Sequence, residues 1–552
     1  MNVELLERKT SDRPKNIQYG RAASSLDLAD AFSLYANPEP QSKKVITLVV
    51  PPIYFSKNSY STPLTLPLGI AYLAAALEKA NYRTNILDCR GRDIDNIRLS
   101  PDGRFKIQGL DERESLKLID PDTDIIGVTI MFSQEWPQTR DYINLIREAF
   151  PNAKIIVGGE HPTAMPEYTL RDCPAIDYLV KGEGELTLLD LVHRLRSRKP
   201  VFGTSGVSYI TNDEFVETTL SARMADIKAM PWPAWHLIDL EPYFQPNYTM
   251  GISHGRNFAM LATRGCPFQC TFCSSPSMWT TRYVMRPVSD VVDEIVAGIE
   301  KYNVNSIDFY DLTAIVKRDW ILQFIAELEN RKVKITWQLP SGTRSESLDE
   351  EVISGLARTG CEFLVYAPES GSERTLEMIK KRVKLENLQK SIAIAVKTGM
   401  IVKVNFIIGF PFETRREIFQ TLLFVWKLAL MKVDDCNISN FSPYPGSELF
   451  NELDREKAFG TIDDEYFAIL MTQFDFTLTK TFSKHVSSWE VMVYRIFGMS
   501  IFYGLSYLRT PKNLLRLVKS FFKSGFQPRS MFEQRIFDSI ARRRKSDAKT
   551  IA

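Results

Sequence analysis

Alternation of apolar strands with amphipathic helices is the feature that most constrains the fold of this chain. The alternation begins at Lys43 with the β-branched run Val45–Val50, continues to about Leu195, and resumes between Asn257 and Phe441. Parallel strands need crossover connections, and helices supply them. The pattern therefore predicts an α/β protein with more than one parallel sheet, and 552 residues leave room for about two or three domains.

The first run predicts an open, doubly wound sheet with helices on both faces. Its five expected strands are residues 45–50, 84–89, 125–131, 154–157 and 176–180. Ligands of such sheets bind beyond the carboxyl ends of the strands. Two glycine-rich loops lie at those ends, one with Gly158 and Gly159 and the other with Gly182 and Gly184. Glycine there allows the backbone to approach a bulky ligand closely.

The second run predicts six strand–helix units. The expected strands are residues 258–262, 307–311, 335–339, 363–366, 402–408 and 436–441. Barrel enzymes place their chemistry at the carboxyl ends of such strands. A cysteine loop follows the first of them.

That loop contains Cys266, Cys270 and Cys273. Three thiolates leave one position open on a cubane iron–sulfur cluster, which normally takes four cysteines, and an open position is typical of a catalytic metal. A zinc site would need a fourth ligand nearby, and a disulfide would leave an odd cysteine. We therefore expect a [4Fe–4S] cluster bound by these three residues.

The spacing of the three cysteines resembles that of the radical S-adenosylmethionine (SAM) enzymes. The resemblance implies a partial (β/α)6 TIM-type barrel in which the open iron binds SAM. It extends to Glu369 and Ser370 after the fourth strand and to Gly409 and Pro411 after the fifth. These four residues and Phe272 are the SAM contacts that the resemblance implies.

The first domain resembles the flavodoxin-like cobalamin-binding domain found ahead of many radical SAM barrels. The match rests on the glycine loops and the segment Pro67–Ala74. The cobalamin contacts that it implies are Gly158, Gly159, His161, Thr163, Gly182, Glu183 and Gly184.

The loop after the first strand departs from that pattern. Where many cobalamin domains carry Asp-x-His-x-x-Gly, residues 51–60 contain no histidine. We therefore expect cobalt without a histidine ligand, with Tyr54, Phe55, Asn58 or Tyr60 facing its lower side.

Five segments follow from these patterns. They are an N-terminal arm (1–42), a cobalamin-binding domain (43–210), a linker (211–254), a radical SAM barrel (255–453) and a helical C-terminal domain (454–552).

The resemblance implies a cobalamin-dependent methyltransferase acting on an unactivated carbon of a small-molecule or peptide intermediate. Cobalamin would carry a methyl group from one SAM, and a second SAM would give the deoxyadenosyl radical. One alternative is an enzyme like the anaerobic magnesium-protoporphyrin ester cyclase, with the same cofactors and no net methylation. Another is a cobalamin- or redox-sensing protein. An electron donor such as flavodoxin or ferredoxin is an implied partner.

Composition favours a cytoplasmic protein. The N-terminus reads as polar rather than as a signal peptide, and seven cysteines in 552 residues do not form a disulfide scaffold. A net charge of +2 gives no indication of nucleic-acid binding. The basic, amphipathic stretch 513–523 has two interpretations, contact with an anionic membrane surface or packing on the protein, and we favour packing.

Overall fold

The computed structural model describes residues 28–59, 64–219, 223–224, 227–245, 249–313, 315–471, 475, 479–520 and 528–534. Tyr60 and residues 521–523 of the basic stretch lie outside this described part. The fold consists of a seven-stranded sheet, a six-stranded sheet and two small sheets, with helices packed around them.

The N-terminal domain is built on the seven-stranded sheet in the order β10-β9-β8-β7-β6-β1-β3, and its small second sheet has the order β2-β5-β4. The strands are β1 (Val45–Val50), β2 (Ile53–Ser56), β3 (Thr84–Asp88), β4 (Ile97–Leu99), β5 (Phe105–Gln108), β6 (Thr123–Thr129), β7 (Lys154–Gly158), β8 (Tyr178–Val180), β9 (Val207–Thr211) and β10 (Glu214–Glu217). The helices are α1 (Leu28–Leu34), α2 (Leu68–Lys79), α3 (Glu112–Leu116), α4 (Trp136–Ala149), α5 (Glu160–Ala164), α6 (Pro166–Asp172) and α7 (Gly184–Arg196).

The five expected strands of this domain are β3, β1, β6, β7 and β8, all paired in parallel. Their order, with the first strand between the second and third, is that of the flavodoxin-like doubly wound fold. The expected fold class is confirmed. The first strand is buried along its whole length, as a central parallel strand should be.

Several elements of this domain were not expected from the sequence, among them the small sheet β2-β5-β4, the strands β9 and β10, and helix α1. Strands β9 and β10 extend the sheet antiparallel to β8 and to each other. They are short and half-exposed, so they lack the continuous apolar run of a central strand. Helix α1 lies in the segment expected to be a loosely held arm, and Ala31 and Phe32 are buried. Seven residues are too few to show a clear helical period.

The barrel sheet has the order β11-β14-β15-β16-β17-β18, with every neighbouring pair parallel, as expected for a partial (β/α)6 barrel. A two-stranded sheet, β12-β13, lies beside it. The strands are β11 (Asn257–Met260), β12 (Thr263–Arg264), β13 (Val284–Met285), β14 (Ser306–Phe309), β15 (Thr336–Thr343), β16 (Cys361–Glu369), β17 (Ile401–Ile408) and β18 (Asp435–Asn440). The helices are α8 (Ser275–Trp279), α9 (Val288–Tyr302), α10 (Arg318–Asn330), α11 (Glu350–Arg358), α12 (Glu373–Met378), α13 (Leu385–Lys397), α14 (Arg415–Leu430) and α15 (Glu448–Arg455).

The segment between the domains is docked rather than loose. Ala234 donates its amide to the carbonyl oxygen of Ala71 at 3.0 Å, and the buried ring of Trp235 lies 5.2 Å from that of Phe258. After the barrel come α16 (Asp464–Leu470), α17 (Ser488–Arg509) and α18 (Pro511–Ser520). Helix α16 packs on the N-terminal domain, while α17 packs along α14 and β18 of the barrel. The C-terminal helices α16 and α17 therefore contact both domains, α16 the N-terminal domain and α17 the barrel.

Candidate active site between the two domains

A cavity of about 1610 Å³ lies between the carboxyl ends of the N-terminal sheet and the barrel. From the N-terminal domain it is lined by strand ends and the loops after them, including Val50, Phe55, Arg90, Thr129, Met131, Phe132, Gly158, Gly159, Glu160, Gly182, Glu183, Gly184 and Glu185. From the barrel it is lined by residues that include Leu261, Thr263, Arg264, Gly265, Tyr310, Leu312 and Ser341. The predicted ligand loops of the two domains therefore face one space.

The two glycine loops are bonded to each other. Thr163 accepts a hydrogen bond at its Oγ1 from the amide of Gly182 at 3.0 Å. Gly159 has φ 122°, and a Cβ there would overlap the carbonyl oxygen of Ile130, so only glycine fits. These contacts fix a smooth backbone surface against the cavity.

His161 does not line the cavity. Its ring is fully buried, stacked 4.9 Å from Trp136, with Nδ1 3.0 Å from Ser133 Oγ and Nε2 3.3 Å from Thr169 Oγ1. Burial lowers the pKa of His161 to about 3, so the ring is neutral. Both nitrogens have protein partners, which places this histidine in a supporting role behind the loop.

Histidine is missing from the described lining of the cavity. Of the aromatic residues expected below the cobalt, Phe55 lines the cavity, whereas Tyr54 turns away and donates its hydroxyl to Glu112 Oε1 at 2.6 Å. Asn58 is not among the lining residues.

The cysteine loop leaves β12 at a turn that also requires glycine. Gly265 has φ 83°, and a Cβ there would overlap the carbonyl oxygen of Arg282. Cys266, Cys270 and Cys273 are half-buried and form no disulfide. Burial raises the pKa of Cys273 to about 12. Among the described residues no three such side chains are gathered as a ready metal site.

Asp311 fixes the start of that loop. Its fully buried carboxylate accepts hydrogen bonds from the amide of Ala262 at 3.1 Å and from the amide and hydroxyl of Thr263, each at 2.5 Å. Burial raises the pKa of Asp311 to about 6. The buried carboxylate of Asp311 therefore holds the start of the cysteine loop in place.

Two cations lie near the cysteine loop, and each is paired with a carboxylate, Lys381 with Glu369 and Arg344 with Glu346. Lys381 Nζ lies 2.9 Å from Glu369 Oε1, and the Arg344 guanidinium lies 3.7 Å from the ring centre of Phe268, inside the cysteine loop. Burial raises the pKa of the Cys270 thiol, and the charges of Lys381 and Arg344 oppose this rise. Cations beside cysteines favour the thiolate, which is the form that binds iron.

Unpartnered buried polar atoms lie around the same loop. They include Thr271 Oγ1, Ser275 Oγ, Arg344 Nε and Ser345 Oγ. Buried polar groups are normally hydrogen-bonded, so a cluster of unpartnered ones indicates room for a polar ligand. The residues present therefore fit an iron–sulfur cluster with a polar, partly anionic molecule bound beside it.

The other expected SAM contacts lie on the barrel side of the cysteine loop and are absent from the described cavity lining. Phe272 lies 5.9 Å from Phe410, Ser370 Oγ is fully buried 2.9 Å from Thr421 Oγ1, and Glu369 has φ 70°. Gly409 donates its amide to Glu413 Oε2 at 2.6 Å, and the carbonyl of Pro411 accepts from the amide of Lys484. These contacts hold the strand ends in shape.

A buried ion cluster joins the two sides of the cavity. Arg264 Nη2 lies 2.7 Å from Glu185 Oε1, and Arg223 Nε lies 2.8 Å from Glu183 Oε2. Glu160, beside Gly159, accepts a hydrogen bond from the hydroxyl of Ser274, the residue after Cys273. Sequence reasoning missed Glu160 and Arg264, although each lies within a motif that it identified.

Two family models match the chain over these two regions. Residues 61–192 match the B12 binding domain, and residues 260–425 match the Radical SAM superfamily. The first match covers the glycine loops, and the second covers the cysteine loop. The protein is thus of the class that joins a cobalamin-binding domain to a radical SAM barrel.

Several curated proteins are similar in sequence to this chain over most of its length. The chain is 30% identical to the cytidylyl-2-hydroxyethylphosphonate methyltransferase of Streptomyces wedmorensis over 63% of this chain and 69% of that protein. It is 29% identical to an uncharacterized methyltransferase of Pyrococcus horikoshii (73% and 82% covered). It is 25% identical to the anaerobic magnesium-protoporphyrin IX monomethyl ester cyclase of Rubrivivax gelatinosus (87% and 83%).

The solved radical SAM methyltransferase TsrM of Kitasatospora setae, with cobalamin and a [4Fe–4S] cluster bound, shares the fold at a TM-score of 0.64 and 16% identity, with 91% of this chain and 99% of that chain covered. This chain belongs to the cobalamin-dependent radical SAM enzymes. Its cofactors are cobalamin, SAM and a [4Fe–4S] cluster, as expected from the sequence.

Proposed function

We propose that the protein transfers a methyl group to an unactivated carbon of a small-molecule or peptide substrate held in the cavity between its domains. The observation that carries the proposal is the shared lining of that cavity. The glycine loops of the cobalamin-binding domain and the Thr263–Gly265 start of the cysteine loop face the same space. A substrate there would lie within reach of both cofactors at once.

Cys266, Cys270 and Cys273 would hold the cluster, with Lys381 and Arg344 offsetting its negative charge. When bound, the cluster supplies the electron that cleaves SAM, and cobalamin supplies the methyl group. The polar atoms of Thr271, Ser275 and Ser345 would orient SAM beside the open iron. Phe272, Glu369, Ser370, Gly409 and Pro411 are the further SAM contacts that we propose on the barrel side of the cysteine loop.

Gly158, Gly159, Gly182, Glu183 and Gly184 would support cobalamin from the N-terminal side. His161 and Thr163 would act behind this surface, His161 by packing and Thr163 by bonding the two loops together. Phe55 and Arg90 also line the N-terminal side of the cavity and would contact cobalamin there, where the described lining contains no histidine.

The proposed electron donor is a flavodoxin- or ferredoxin-type protein, and the proposed compartment is the cytoplasm, where thiols stay reduced. Much of the lining, including Leu261, Met131, Phe132 and Leu312, is apolar. Apolar walls exclude water from the site, which a radical intermediate needs.

A second candidate is supported by the similarity to the ester cyclase of Rubrivivax gelatinosus, which extends over 87% of this chain. In that case the same cofactors would oxidise the substrate without net methylation. Product counting separates the two. Methyl transfer yields 5′-deoxyadenosine and S-adenosylhomocysteine together, and labelled methyl from SAM enters the product. 5′-Deoxyadenosine without S-adenosylhomocysteine would favour the cyclase-type reaction.

A further inference from the structure

Helix α17 is as apolar as a membrane-spanning helix, yet most of it is not covered by protein. Its 22 residues satisfy the length and composition of a membrane span, and only 28% of its most apolar window is buried. The exposed positions are Trp489, Val493, Ile496, Phe497, Ser500, Gly504 and Leu508. They recur every three or four residues, so they form one face of the helix.

Helix α14 continues this face. Its exposed apolar residues Phe419, Leu423 and Leu430 also lie on one side of a helix. The two helices are joined by an aromatic row, in which Trp426 lies 6.2 Å from Phe419 and 5.7 Å from Phe497. We call the exposed residues of α14 and α17 together the α14–α17 face. Contiguous apolar surface of this kind marks an interaction site.

The opposite side of α17 is fixed in the protein. Arg495 is fully buried and donates its Nε to the carbonyl oxygen of Ile438 at 3.0 Å. Gly498 packs so closely on Leu422 and Ile438 that a Cβ would clash with both. A helix held along one side in this way cannot cross a bilayer, but it can lie in the surface of one.

The charge around this face is positive. The exposed charged residues of the two helices are Arg415, Arg416, Lys427 and Arg509, and Arg415 pairs with Glu490. The sequence after α17, residues 510–552, contains eleven Lys and Arg against three Asp and Glu. Basic residues beside an apolar face complement anionic lipid headgroups.

The cavity between the domains also reaches α17. Ile496, Met499, Ser500 and Tyr503 belong to its lining, together with Phe532, whose ring stacks 4.5 Å from Tyr503. Ile496 and Ser500 are exposed on the α14–α17 face. One end of the cavity therefore opens beside this face.

We propose that the α14–α17 face docks on the surface of an anionic lipid bilayer. The apolar side chains enter the boundary between headgroups and acyl chains, and the basic residues contact the headgroups. From the sequence alone we favoured packing of the basic stretch 513–523 on the protein. The lipid contact proposed here lies on helices α14 and α17 instead.

The test is flotation of the reconstituted full-length enzyme with vesicles of phosphatidylcholine, with and without phosphatidylglycerol. The enzyme should float with the anionic vesicles and less with the neutral ones. A triple variant, Phe419→Ser, Trp489→Ser and Phe497→Ser, should bind at least about ten-fold more weakly, because these rings are 50%, 67% and 50% exposed and supply the apolar contact. The matched control is Phe202→Ser, which removes a ring 55% exposed on the other domain and should leave binding unchanged.

Three results would overturn the proposal. The first is no flotation, or flotation that the triple variant and the control share equally. The second is a concentration-dependent dimer that only the triple variant dissolves, which would assign the face to a second copy of the chain. The third is an enzyme that floats only when it is truncated after Gln534. Residues 535–552 would then be the segment that occupies the α14–α17 face in the full-length chain.

Discussion

Arg264 and Glu185 form a buried ion pair that spans the two cofactor domains, with Nη2 2.7 Å from Oε1. Arg264 begins the cysteine loop, and Glu185 ends the second glycine loop. Burial would lower the pKa of the Arg264 guanidinium, but Glu185 and Glu183 hold it above its usual value. The Arg264 group also lies 4.8 Å from the ring centre of Tyr72. The relative position of the two loops therefore depends on this pair.

Breaking this pair should destabilise the enzyme. We expect Glu185→Gln to lower the free energy of unfolding by about 3 kcal/mol, since removing one partner of a buried pair leaves a poorly compensated charge. Chemical denaturation of the apoprotein measures this difference in the free energy of unfolding. The matched control, Glu351→Gln, removes a carboxylate from an exposed pair with Arg318 and should change stability little. Equal effects of the two variants would contradict a structural role for the buried pair.

Much of the fold followed from the sequence because its strands are continuous, buried and apolar. The elements that escaped prediction include α1, β9, β10 and the small sheet β2-β5-β4, and all of them are short. At the site, the local motifs were recognised, but their long-range partners were not. Glu160 and Ser274 are 114 positions apart, and no local pattern indicates that they meet.

The orientation of the His161 side chain also did not follow from the sequence. The sequence put His161 in a ligand loop, and the loop does face the cavity. The side chain, however, points into the core against Trp136 and Phe467. Phe467 comes from α16, 306 residues further along the chain than His161, so its contact with this ring was outside the reach of local reasoning.

Alanine at Cys266, Cys270 or Cys273 should abolish cluster binding and SAM cleavage. Two remaining thiolates cannot hold the cubane that three support. Iron content, the visible spectrum and 5′-deoxyadenosine formation measure the loss. Cys361→Ala is the matched control, since this buried cysteine begins β16 far from the loop. Full iron content after all three of these cysteines are replaced by alanine would contradict the assignment.

Glu413 should make stability depend on pH. Burial raises the pKa of Glu413 to about 8 from a usual value of 4.5, while the amides of Gly409 and Phe410 oppose the rise. Between these two values the folded state keeps a proton that the unfolded state releases, so stability falls as pH rises. Relative to Glu413→Gln, the native enzyme should lose stability between pH 4.5 and about 8 and change little above that. Parallel melting curves across this range would contradict the prediction.

Cobalamin should bind without a histidine nitrogen on cobalt. Histidine is missing from the described cavity lining, and both ring nitrogens of His161 have partners. Electron paramagnetic resonance of the Co(II) form should therefore show no superhyperfine splitting from a protein nitrogen. Such splitting, lost in a His161→Phe variant that still takes up cobalamin, would show that the loop rearranges to supply the ligand.

The central claim is that both cofactors act on one space between the domains. The most direct measurement is the magnetic coupling between Co(II) cobalamin and the reduced cluster in the reconstituted enzyme. The shared cavity predicts that reduction of the cluster broadens the Co(II) signal, and that Cys270→Ala, which removes the cluster, restores it. A Co(II) signal that stays unchanged when the cluster is reduced would place the cofactors in separate sites and contradict the account.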